Sequence, residues 1–138
     1  MSWKTAKCFM NELVKEWINK AEGDYHSTLR EYRARNFTNY DAAGFNAQQC
    51  IEKYIKASLQ HHQIPFRKTH DLLALMELCI TFAPELELHK SLLAYLNQFA
   101  VAFRYPGEMA GKKDAKQAID AMRLLRPIFR ELLGVAID

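Results

Sequence analysis

The segment YDAAGFNAQQCIEKYIKASLQHH, residues 40–62, decides the fold. Ala43, Ala47, Cys50, Ile51, Tyr54, Ile55, Ser58 and Leu59 recur at steps of three and four, the period of a helix with one buried stripe. The stripe opens with small residues, which lets another helix backbone come close. Gln49, Glu52, Lys53, Lys56 and Gln60 fall on the other face and read as exposed. Pro65 ends the segment, because proline lacks an N–H and restricts the residue before it.

The same period continues on both sides. Upstream, Leu13, Trp17, Ala21, Tyr25, Leu29 and Tyr32, widened by Ile18 and Thr28, predict a helix over about 11–35. Its polar face carries Lys15, Asn19, Glu22, His26, Arg30 and Arg33. Thr38 or Asn39 is placed to cap the helix of residues 40–62. Downstream, Thr69 is the expected cap of a short helix holding Leu72, Leu75, Met76, Leu78 and Cys79. A fourth helix is expected over about 86–103, broken by Arg104-Tyr-Pro-Gly107. Asp114 with Gln117 resembles a capping box for a fifth helix running through Ala115, Ile119, Met122, Leu125, Phe129 and Leu132. No run of period two survives. The expected fold is all-α, an up-and-down bundle of four long helices plus one short, in a single domain over residues 1–138.

Composition agrees with this reading. Of 138 residues, 49% are apolar and 25% charged, the proportions of an ordinary globular chain, and only five Gly and four Pro are present, few for a fold of many short strands. Cys8, Cys50 and Cys79 are an odd number without a CxxC pair, which fits a reducing cytoplasm better than a disulfide framework. Lys15, Glu16 and Lys20 interrupt the first twenty residues, so neither a signal segment nor a membrane span is expected. The net charge of +3 is too mild to identify a nucleic-acid binder by itself. Arg104, Lys112, Lys113, Lys116, Arg123, Arg126 and Arg130 nevertheless outnumber Glu108, Asp114 and Asp120, giving a basic face on the last helix.

Several chemistries are excluded by spacing. His61 and His62 are neighbours and diverge by about 100° on a helix, and no HExxH, phosphate loop or GxSxG elbow occurs. No metal and no cofactor is expected. The informative stretches are FNAQQCIEK at 45–53 continuing into YIKA at 54–57, KTHDL at 68–72, AFRYPG at 102–107, and WINKAEGD at 17–24. In this order and spacing they resemble the HEPN domains, the helical domains named for nucleotide binding in higher eukaryotes and prokaryotes, over about Glu16 to Met122.

The resemblance implies a helical bundle that commonly forms homodimers, with members that act as RNase toxins beside a separately encoded minimal nucleotidyltransferase. Catalytic members carry an Arg followed four to six residues later by His. Here Arg104 matches the arginine, but Met109, Ala110 and Gly111 stand where the histidine belongs. An unperturbed Tyr105 stays protonated and Glu108 ionised at neutral pH, so neither replaces an imidazole. The chain is similar to the Arg-Tyr-Pro branch, whose members are described as nucleotide binders.

The residues themselves suit that role. Arg104 offers a planar fork for phosphate, Tyr105 a face for a base, Lys53 and Lys56 further charge, and Gln49 a reader of a base edge or ribose. His70 begins the short helix, where free N–H groups favour an anion. Gln49, Glu52 and Lys53 equally suit a solvated face or a dimer seam. The expected function is a cytoplasmic nucleotide- or RNA-binding homodimer, paired with a nucleotidyltransferase in a toxin–antitoxin-type system. The alternative is a metal-independent RNase using Arg104 with His70.

Overall fold

The computed structural model describes residues 11–103 and 105–137. Five α-helices run in chain order among them: α1 (Glu12–Arg33), α2 (Tyr40–His61), α3 (Leu72–Cys79), α4 (Lys90–Asn97) and α5 (Lys112–Leu132). Among the described residues there is no strand, and the fold is the all-α bundle that the periodicity predicts. No helix among them is long and apolar enough to cross a membrane.

Helix α2 is the centre of the bundle, packing against α1, α5, α3, α4 and the turn at 98–100. Every residue of the predicted stripe from Ala43 to Leu59 is buried. Residues from Cys50 to Leu59 are buried around the whole helix except at Lys53, as befits an element covered on all sides. Gly44 faces the Phe99 ring so closely that an added Cβ would fall inside the ring's van der Waals envelope. The small residues at the start of α2 therefore admit an aromatic ring.

In α1 the buried line is Val14, Ile18, Ala21 and Thr28, flanked by half-buried Trp17, Tyr25, Leu29 and Tyr32. Leu13 is 45% exposed, so the stripe is centred one position from where the aromatic residues put it.

The caps explain where helices begin. Asn39 Oδ1 accepts the Ala42 N–H at 3.0 Å and caps α2. The expected Thr69 cap of α3 is corrected: Asp71 Oδ1 takes the N–H groups of Leu73 and Ala74, while Thr69 accepts the Asp71 N–H one turn earlier. Asp114 is not the N-cap of α5 but the third residue of the helix, whose carboxylate serves the cap from inside. The helix starts at Lys112, and the Asp114 carboxylate reaches back to the Gly111 N–H at 2.8 Å.

The continuous helix expected over 86–103 is three pieces, a 3-10 turn (Pro84–His89), α4, and a second 3-10 turn (Gln98–Ala100). Proline at the start and the left-handed Phe103 beyond the end (φ 65°) tighten both termini.

The basic face of the last helix holds at Lys112, Lys113, Lys116 and Arg123, which are exposed, and is corrected at Arg126 and Arg130. Arg126 forms a bidentate pair with Glu22, at 2.6 Å (Nη2–Oε1) and 2.8 Å (Nε–Oε2), and lies 4.4 Å from the Tyr25 ring centroid. The Tyr54 hydroxyl donates to the same carboxylate and accepts from Arg130 at 2.7 Å. Glu22, read from the sequence as a solvated residue, thus joins α1, α2 and α5. Burial alone would raise its pKa, but the hydrogen bonds from Arg126 and Tyr54 prevail and lower it. Burial and the Glu22 contact push the Tyr54 hydroxyl well above its ordinary range.

Candidate nucleotide-binding site

The second polar cluster is built on Glu52. Its position on α2 leaves the side chain 3% exposed, so its charge must be paired inside the protein. Lys56, one turn further on, meets Oε2 at 3.0 Å and is itself 9% exposed. The ammonium also lies 5.6 Å from the Trp17 ring centroid, which brings α1 into the contact. Oε1 receives His70 Nδ1 at 2.9 Å and the Gln48 and Gln49 amides at 3.3 Å each. Gln48 Nε2 also donates to the His70 carbonyl at 2.9 Å, fixing the backbone that carries the ring. Gln49 donates in turn to Gln48 Oε1 at 2.7 Å.

The cluster joins FNAQQCIEK to KTHDL, with Glu52 and His70 eighteen residues apart in the chain. A third stretch approaches through α4. Asn97 Oδ1 accepts the Leu72 N–H at 2.8 Å, and Asn97 Nδ2 donates to Asp71 Oδ1 at 3.0 Å. The 3-10 turn that follows places Phe99 against Gly44, one turn before Gln48. The AFRYPG stretch leaves from this end of the bundle. Phe103 packs on Phe99 at 5.4 Å between centroids, in a left-handed conformation that residues other than glycine rarely adopt. Gly107 (φ 90°) supplies the next left-handed position. The segment returns to α2 where the Ala110 N–H donates to Asp41 Oδ1 at 2.6 Å.

The sequence-predicted residues separate into groups. His70 and Gln49 are brought together on Glu52. Tyr105 is 70% exposed, and among the described residues no hydrogen bond or ring contact links it to either of them. Arg104 lies outside the described residues. The exposure expected of Lys53 and Lys56 does not hold: Lys53 is paired with Asp24 of α1, and Lys56 with Glu52. Nor does α3 offer free N–H groups to an anion, since Asn97 and Asp71 already take its first three. His70 sits one residue before the cap, and its value lies in its ring.

Sequence reasoning missed Gln48, Glu52 and Asn97 as site-forming residues. Gln48, Glu52 and Lys56 recur at steps of four, and that register is the available signal, although Glu52 and Lys56 read as part of the exposed face. A cleft of about 500 Å³ lies beside the cluster, lined by Pro65, Phe66, Arg67, Leu75 and Leu78 together with Thr69 and Asp71, the neighbours of His70. His70 itself does not line it.

The family model of the HEPN domain matches residues 14–132. The chain belongs to the HEPN family. The match takes in all four stretches described above and every residue of the Glu52 cluster. No match was found among curated proteins or among solved structures. HEPN membership associates the chain with nucleotide- and RNA-related function in general terms.

Proposed function

We propose that this HEPN chain is a nucleotide- or RNA-binding homodimer, whose ligand contacts are His70 and Gln49 from the Glu52 cluster together with Arg104 and Tyr105. The observation that carries the reading is the network on Glu52, which holds an exposed imidazole and a glutamine amide in fixed relation. Buried polar groups that are fully hydrogen-bonded rigidify the side chains they hold, and a binding site needs that rigidity. Lys56 acts through Glu52, and Lys53 ties α2 to α1. The partner we infer beyond a second copy is a separately encoded minimal nucleotidyltransferase, as in toxin–antitoxin-type pairs of the family, in the cytoplasm.

Thermal unfolding of the wild type and Arg104→Ala with ATP, GTP, AMP and a short single-stranded RNA tests the reading. A ligand at about a hundred times its Kd adds about 2.7 kcal/mol, a shift of several degrees for a domain of this size. The expected result is a shift in the wild type that Arg104→Ala loses. No shift with any of them refutes the reading. Sedimentation equilibrium tests the dimer, and a monomer at micromolar concentration refutes that part.

A second reading, a metal-independent RNase, draws support from the same exposed imidazole, since His70 supplies the proton-transfer group absent at Met109, Ala110 and Gly111. RNA cleavage in chelator, abolished by His70→Ala and by Arg104→Ala, is its required result; RNA left intact refutes it.

A further inference from the structure

We infer that His70 is a proton-linked phosphate anchor: the site takes up one proton at His70 Nε2 as it binds a phosphate group of a nucleotide or of RNA. The inference rests on the binding reading above and adds to it the group that sets affinity and its pH dependence.

The argument begins with charge. A histidine paired with a carboxylate alone is a poor anion site, because protonating the ring only cancels the acid. Here Lys56 has already cancelled Glu52, at 3.0 Å and away from solvent. The pair is neutral before His70 is counted, so a proton on the ring brings a net positive charge to the surface.

Geometry then decides which nitrogen carries it. Glu52 is an ionised acceptor, so His70 Nδ1, 2.9 Å from Oε1, must donate. The neutral ring therefore holds its proton on Nδ1 and leaves Nε2 as a lone pair, which repels a phosphate oxygen. The protonated ring presents Nε2–H and attracts one. The ring is 66% exposed, so ligand can reach it, while Gln48 holds the His70 carbonyl and keeps the ring in register.

The other charged groups around the ring do not duplicate this function. On α2, Glu52 and Lys56 are paired with each other. On the incoming segment, Arg67 and Lys68 are exposed, and neither side-chain type is a neutral-pH switch. Asp71, the acid next to it in the chain, is occupied by the N–H groups of Leu73 and Ala74 and by Asn97 of α4, which is neutral. From α1, Trp17 meets the cluster at Lys56. Among these groups, His70 is the one imidazole, the side-chain type whose charge changes near neutrality.

The test is calorimetric binding of AMP and of a short single-stranded RNA, from about pH 5.5 to about pH 8.5. Buffers of different ionisation heat report the protons taken up. In the wild type, affinity is expected to fall by up to about tenfold per pH unit above the imidazole titration, with uptake approaching one proton. His70→Gln keeps an amide for Glu52 and cannot titrate, so it should flatten the profile. The phosphate of AMP itself titrates near pH 6, and the difference between wild type and His70→Gln removes that contribution; RNA diesters do not titrate in the range. Linkage with AMP alone assigns the site to nucleotides, and linkage with RNA alone assigns it to RNA. Binding without a pH profile, or with a profile that His70→Gln leaves in place, overturns the inference and leaves the binding reading standing. No binding of either ligand at any pH overturns both.

Discussion

Replacing Glu52 by Ala tests whether the cluster is held together as described. The variant removes the carboxylate that pairs with Lys56, whose side chain is nearly as buried as that of Glu52. Breaking a buried pair from one side costs about 3–5 kcal/mol, because the remaining charge stays out of water. An upper bound follows from chemistry. The ammonium escapes the penalty by giving up its proton, and discharging an ordinary lysine at pH 7 takes about 5 kcal/mol. At pH 9 the same step takes only about 2 kcal/mol. The destabilisation of Glu52→Ala relative to wild type should therefore shrink as pH rises from 7 to 9, the sign expected when the unpaired charge is a cation. Urea unfolding at both pH values gives the two differences directly. A loss below about 1 kcal/mol at pH 7, or one that grows with pH, would refute the account of Glu52 and Lys56 as a buried pair.

Other consequences are as specific. Gly44→Ala forces a methyl group into the Phe99 ring and should destabilise by about 1–3 kcal/mol in urea; an unchanged midpoint contradicts the close approach. Glu22 has a lowered pKa in the folded state, so its contribution is present above its unfolded value near 4.5 and is lost as pH falls through the folded value. Glu22→Gln should accordingly be less stable than wild type at neutral pH and converge with it in acid, as read by thermal unfolding across that range. Burial raises the thiol pKa of Cys50, and pushes that of Cys79 up to about 12. In a Cys8→Ser background neither should react with a thiol reagent in the native state at neutral pH, and rapid modification of either contradicts its burial.

The fold was legible because burial in a helical bundle follows from period alone. Ala43 through Leu59 of α2 could be placed residue by residue, since apolar side chains mark their own stripe. The polar cluster was illegible for the complementary reason. Glu52 and Glu22 carry the side chains that most often face water, and nothing in a single helix shows that a second element covers them. Glu52 is covered by the segment carrying His70, and Glu22 by the arginines of α5, contacts eighteen and more than a hundred residues apart in the chain. The α3 cap falls to Asp71 over Thr69, the order that N-cap preference itself gives, and Asn97 from another helix adds a hydrogen bond to the capping carboxylate.

A buried lysine–glutamate pair is weak ground for stability, because apolar side chains of similar volume fold as well or better in its place. That makes the presence of Glu52 and Lys56 in the most enclosed helix informative. If they served packing alone, Glu52→Leu combined with Lys56→Met would leave the molecule intact in every respect. The double variant removes both charges together and should stay within about 1.5 kcal/mol of the wild type, unlike Glu52→Ala. What it cannot replace is the acceptor for His70 Nδ1 and for the Gln48 and Gln49 amides. The expected result is a stable protein with a freely rotating imidazole and weakened ligand binding. A double variant that folds and binds as the wild type does would show that the cluster orients nothing.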